Sequence, residues 1–191
     1  MNKRLIPAAA GLIFVYAGLF QLTAAAPMFA KVATSDIDAQ LGMTMISLVL
    51  ALGGLIAFGY CVAARKSVLP AAIAWGVGAV GSLVAILEIS DGQISAPMLV
   101  VIAIQQFGGL VAVLLVARPE ATAPPMRREL GALLIVMVIA RVIGTVWSLV
   151  YQFHMFDSAQ LTIGSVLSLS IWPVVTFVVS AFGVYAALAL L

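Results

Sequence analysis

The sequence predicts an all-α, polytopic membrane protein with six transmembrane helices arranged as three like-oriented hairpins, and three observations lead there. The first is composition: of 191 residues, 64% are hydrophobic and only 8% are charged. Soluble domains average roughly a quarter charged residues, and no soluble fold could hide this much apolar surface. The second is spacing, because six apolar runs each reach the roughly 20 residues that an α-helix needs to cross a bilayer core of about 30 Å. The third is a repeat. Ser35 to Ala57, moved forward 55 positions without a gap, falls on Ser90 to Ala112, with identity at Ser35/Ser90, Asp36/Asp91, Met43/Met98, Gly53/Gly108, Gly54/Gly109, Leu55/Leu110 and Ala57/Ala112. Each copy opens on a Ser-Asp turn, enters an apolar run, carries a Gly-Gly-Leu step and ends near an arginine, Arg65 or Arg118. A hairpin used twice is the simplest source of that pattern.

The expected helices are Leu5 to Ala26, Leu41 to Ala64, Val68 to Ile89, Pro97 to Ala117, Leu130 to Phe153 and Leu161 to Leu191. In the first, Lys3 and Arg4 before the apolar stretch and Ala24-Ala25-Ala26 after it also fit a cleavable secretory signal. Pro27 directly after that site, and the length of the run, favour a retained helix. Pro27 to Gln40 is too short and too polar to span, so an outside loop is expected there. The third hairpin resembles the first only where Ser158-Ala159-Gln160-Leu161 matches Asp38-Ala39-Gln40-Leu41, and a third copy stays open. Residues 119–129 hold Pro119, Pro124, Pro125, Glu120, Arg127 and Arg128, and read as a cytoplasmic linker between a four-helix unit, residues 1–118, and two further helices over 130–191. All of it belongs to one membrane domain.

Lys3, Arg4, Arg65, Lys66, Arg118, Arg127 and Arg128 fall on one side of a six-helix arrangement and only Lys31 on the other. By the positive-inside rule both termini are expected in the cytoplasm. The compact loops and this bias point to a bacterial inner membrane. Like-oriented hairpins make any repeat parallel, unlike the inverted repeats of many ion-coupled transporters. The net charge of +2, scattered in twos and threes, gives no field for nucleic acid. The partner expected is the lipid bilayer, with a homo-oligomer or a larger membrane complex as further candidates. Cys61 is the single cysteine and reads as a small buried hydrophobe.

With two hairpins, paired glycines in helices 2 and 4 and the junction Leu87-Glu88-Ile89-Ser90-Asp91-Gly92 in view, residues 1–118 resemble the small DoxX-like four-helix membrane families. That resemblance implies an architecture and no assigned activity, and helices 5 and 6 lie outside it. No catalytic residue carries over.

Arg141 stands out among candidate functional residues. It lies 11 positions into the fifth run, about 16 Å deep and close to the midplane. An arginine there costs about 2.5–3.5 kcal/mol even on lenient insertion scales, so it must face protein or water and find partners. Gln105 and Gln106 lie at a similar depth on helix 4, and Pro173 in helix 6 frees the carbonyl of Leu169. Thr145, Ser148 and Gln152 follow Arg141 at intervals of four, three and four, which stacks them on one helix face. Glu88 and Gln21 lie where they can extend that stripe, with Ser165 and Ser168 facing it from helix 6.

Two readings follow. Arg141 is either the base of an outward-open pocket for a small polar or anionic molecule, lined by Gln105, Gln106, Thr145, Ser148, Gln152 and Glu88, or an internal lock tying helices 4, 5 and 6 together in an accessory subunit. An enzyme has no supporting motif. His154 is the single histidine, so a bis-histidine haem within one chain is impossible, and no cofactor or metal is expected. The serines of helix 6 lack an activating base, and Trp75, Trp147 and Trp172 read as packing residues. Small residues four apart, Gly53-x3-Ala57-x3-Cys61, Gly108-x3-Ala112 and Ala74-x3-Gly78-x3-Ser82, are expected to be the seams where helices approach.

Overall fold

The structure, a computed structural model, describes the backbone of residues 5–32, 39–89, 96–116, 126–155 and 163–191, and within these the side chains of 5–22, 42–82, 103–104, 106–115, 128–147, 149–150 and 170–191. The described residues form six α-helices: α1 (Leu5–Val32), α2 (Ala39–Ala64), α3 (Leu69–Ile89), α4 (Ala96–Val116), α5 (Met126–Met155) and α6 (Ile163–Leu190). Every expected run is a helix. Four of the helices are long and apolar enough to cross a membrane, over Leu5–Leu22, Gly42–Ala64, Arg128–Trp147 and Ser170–Leu190. The outer surface agrees, with Met43, Leu114 and Leu188 each at least 66% exposed. Large apolar side chains turned outward along whole helices suit hydrocarbon rather than water.

Two boundaries differ from expectation. Helix α1 continues through Pro27 to Val32, because proline forgoes only one backbone bond and the helix satisfies the rest internally, so residues 27–32 and 39–40 of the loop expected over Pro27 to Gln40 are helical, and 33–38 lie outside the described residues. Helix α5 starts at Met126, so Met126–Glu129 belongs to the helix and not to a linker. Glu129 in its first turn suits the positive end of the helix dipole. The rest of the expected linker, 119–125, lies outside the described residues.

Each helix packs on the next in sequence, and α6 packs back on α1, which closes a ring. Contacts of α1 with α5 and of α2 with α4 cross that ring, so these four helices surround the centre and α3 and α6 sit on its flanks. Neighbours run antiparallel: Gly11 faces Gly59 and Gly18 faces Ile56 between α1 and α2, and Gly54 faces Trp75 while Gly78 faces Ala51 between α2 and α3. Helix α2 ends in a Schellman cap, with Arg65 N–H donating to Val62 O at 3.3 Å, Lys66 N–H donating to Cys61 O at 2.9 Å, and Arg65 left-handed at φ 55°. Three residues later α3 begins, with Pro70 in its first turn, where a missing N–H breaks no helical bond.

The centre is aromatic. Phe14, Phe58 and Trp75 meet edge to face at centroid distances of 5.0, 5.5 and 5.9 Å, and all three are essentially fully buried. Trp75 fits because glycines flank it. Gly54 lies on its backbone and Gly109 on its indole, where a Cβ would stand 2.6 Å from Cδ1 and Nε1. The seam through Ala74, Gly78 and Ser82 is present, with Gly54 on the backbone of Ala74 and Gly78 on that of Ala51, while buried Ser82 returns its Oγ hydrogen to Gly78 O of its own helix at 2.8 Å; so is the seam through Gly108 and Ala112. The seam expected at Gly53 is corrected: a Cβ there would meet nothing within 4 Å, and its neighbour Gly54 makes the contact. One step along a helix turns a residue by about 100°, enough to move it from interface to lipid.

Candidate functional site

Arg141 is the sixteenth of the 30 residues of α5, about 22 Å along it. It is 7% exposed, and its guanidinium points at α1. Nη2 donates to the main-chain carbonyl of Ala17 at 3.1 Å. The Cζ atom lies 4.2 Å from the centroid of the Phe20 ring and 5.6 Å from that of Tyr16. Nε is buried and has no hydrogen-bond partner among the described residues. The site thus offers a guanidinium one carbonyl and two π faces, which attract a cation but do not neutralise it. Glu129 is the carboxylate among the described side chains, and it sits 12 residues away on the same helix, about 18 Å along the axis.

Local sequence explains the geometry. Ala17 and Gly18 carry almost no side chain, so the Ala17 carbonyl can be approached from α5. Tyr16 and Phe20 are four residues apart and share one face of α1. Helix α6 closes the other side. Thr176 Oγ1 donates to Trp172 O at 2.9 Å, which commits its one hydrogen, so the Tyr16 hydroxyl is the donor in its 2.5 Å bond to Thr176 Oγ1. The chain Tyr16 to Thr176 to Trp172 lies beside Pro173, and Trp172 meets Phe20 edge to face at 6.0 Å. Arg141, Tyr16, Phe20 and Thr176 form one mid-depth cluster on α1, α5 and α6.

The interior is divided by depth at this level. Met137, one turn before Arg141, joins Phe14, Phe58 and Trp75 in a fully buried apolar plug toward the end that carries the Arg65–Lys66 turn. At and beyond Arg141 come polar groups. Gln106 is 4% exposed, Ser82 is buried, and Thr145 and Gln21 are half-buried, Gln21 with an interaction of its own.

Of the residues expected at the site, Arg141 and Gln106 are buried at mid-depth and Thr145 continues from Arg141 along α5. The side chains of Gln105, Ser148, Gln152 and Glu88, and those of Ser165 and Ser168, lie outside the described residues. The lock was expected to run to helices 4 and 6; the contacts described for Arg141 run to α1. Tyr16, Phe20, Thr176 and the Ala17 carbonyl were not anticipated. The usable signal was an aromatic pair four apart on a mid-depth helix next to an Ala-Gly step, which suits a cation as well as polar side chains do.

Compared with known protein families, curated proteins and solved structures, the chain matches none of them.

Proposed function

We propose that this chain is an integral membrane protein of six crossings, in three like-oriented hairpins with both termini in the cytoplasm of a bacterial inner membrane, that binds or carries a small anionic or strongly polar molecule. The reading is non-enzymatic. Arg141 supplies the counter-charge, and Gln106 and Thr145, with Gln105, Ser148, Gln152 and Glu88, line the approach from the outer side. One observation carries it: the buried Nε of Arg141 has no acceptor among the described residues. An unsatisfied charged donor in a low-dielectric interior costs several kcal/mol, and an anion that accepts from Nε and offsets the charge removes that cost. The apolar plug on the Arg65–Lys66 side supports access from the opposite end. The DoxX-like resemblance of residues 1–118 adds an architecture for the first four helices and no ligand.

A second reading makes Arg141 an internal lock within an accessory subunit of a larger membrane complex. The Ala17 carbonyl bond and the Phe20 stack favour it, since together they tie α5 to α1. Reconstituted protein separates the two. Wild type, Arg141→Lys and Arg141→Gln are screened for thermal stabilisation by chloride, phosphate and short carboxylates. Under the binding proposal wild type is stabilised by at least one of these anions, Arg141→Gln folds but loses the effect, and Arg141→Lys keeps a weakened one. No anion effect on wild type, with both variants collapsing, overturns binding and leaves the lock.

A further inference from the structure

A second feature lies away from Arg141, on the outer face between α4 and α5. A groove of about 410 Å³ runs there, from Glu129 in the first turn of α5 to Val136, and on α4 from Leu115, next to the helix end, to Ile104. Its floor is Leu133, and Phe107, Val111 and Val136 stand 43–56% exposed along its rims, so it opens sideways rather than toward either end of the bundle. Leu115 lies 11 residues after Ile104, about 16 Å along the helix, close to half the ~30 Å hydrocarbon core. The groove therefore has the length of one leaflet and starts at the leaflet's head-group edge. Glu129 is the charged residue among its described lining, and the exposed Arg128 is next to it in sequence.

We propose that this groove holds one acyl chain of a phospholipid whose zwitterionic head group ends in a primary amine, as in phosphatidylethanolamine. An apolar slot one leaflet long, with a carboxylate at its head-group end and an exposed arginine one residue earlier on the same helix, complements such a lipid throughout. The hydrocarbon chain fills the slot, the ammonium donates to Glu129, and the phosphate meets Arg128. A carboxylate has roughly four acceptor positions, so the contact Glu129 already makes within the chain leaves capacity for an ammonium. A choline head group has the charge but no N–H to donate, and a glycerol head group brings a phosphate without a cation to offset Glu129. The site is independent of how Arg141 is used, and requires only that α4 and α5 face lipid.

The test is lipid retention by intact protein in native mass spectrometry. Protein is equilibrated with equimolar phosphatidylethanolamine, phosphatidylcholine and phosphatidylglycerol of identical acyl chains. The ethanolamine lipid is expected to be retained about three- to five-fold over each of the others, the range that one partly exposed charged contact provides. Glu129→Gln removes the preference. Val136→Trp, at a half-exposed rim position, lowers retention of all three by laying an indole across the slot without disturbing the interior. Equal retention of the three by wild type, a preference for phosphatidylglycerol, or a preference unchanged in Glu129→Gln would each overturn the assignment, as would undiminished retention in Val136→Trp.

Discussion

Gly109 of α4 lies against the indole of Trp75 on α3, and Gly54, its counterpart one repeat earlier on α2, lies against the backbone of the same tryptophan. The duplicated Gly-Gly step therefore has a structural reason. Helices α2 and α4 flank α3, and repeat-equivalent positions clear a space on either side of one large residue. Replacing either glycine with leucine drives atoms into Trp75, and overpacking of this kind costs about 1–3 kcal/mol or more. Gly53→Leu is the control, because that position opens on nothing within 4 Å. Thermal unfolding in mild detergent should show Gly54→Leu and Gly109→Leu clearly destabilised and Gly53→Leu close to wild type. A Gly53→Leu loss equal to that of Gly54→Leu would disprove this helix register.

Trp75 itself is the keystone of the aromatic plug, touching Phe14 and Phe58 edge to face while 1% exposed. Lipid cannot fill the space that its removal leaves between α2, α3 and α4. Trp75→Ala should therefore cost about 3–5 kcal/mol, and Trp75→Phe distinctly less because part of the edge-to-face packing survives. Denaturant titration of the two variants side by side is the measurement. Equal losses would mean that the ring geometry contributes nothing beyond volume.

The hydroxyl chain from Tyr16 through Thr176 to the Trp172 carbonyl joins α1 to α6 at mid-depth. Polar contacts between membrane helices average about 0.6 kcal/mol and reach about 1.7. Tyr16→Phe and Thr176→Val should each lose stability of this order. The double variant should lose less than the sum of the two, because both remove the same bond. Strict additivity in a double-mutant cycle would show that the two hydroxyls are uncoupled in the membrane.

The helices were legible because the bilayer imposes a length and a composition that the sequence states directly, as in the run from Leu41 to Ala64, which coincides with α2 to within two residues. The burial of Arg141 was legible for the same reason, since a charge at that depth has nowhere else to go. Its partners were not. A search for polar side chains near that depth leads to Gln105 and Gln106, whereas the guanidinium meets a main-chain carbonyl and an aromatic face. Every residue carries a carbonyl, so a sequence does not single one out. Facing direction was the other weak point. Gly53 and Gly54 are the same residue side by side in one apolar run, yet one faces lipid and one faces Trp75, because hydropathy periodicity fades when both environments are apolar.

Phe20 offers the sharpest test of how Arg141 is held. Its ring centroid is 4.2 Å from the guanidinium carbon, which is itself largely desolvated, so the cation–π attraction belongs at the upper end of its range, about 2 kcal/mol. Phe20→Leu keeps an apolar side chain of similar size but removes the quadrupole, so its cost reports that attraction more than packing. Arg141→Met removes the charge and every side-chain donor while keeping a long flexible stem that fills the space. Substitution of a poorly compensated buried charge by an apolar group is often neutral or stabilising, so Arg141→Met alone should leave thermal stability unchanged or raised. In that background Phe20→Leu should cost far less than in wild type. The difference between the two costs, read from thermal or denaturant unfolding of all four proteins, is the coupling between ring and cation. A coupling near zero would mean that the Phe20 ring only fills space, leaving the Ala17 carbonyl as the sole attraction between Arg141 and α1 among the described contacts.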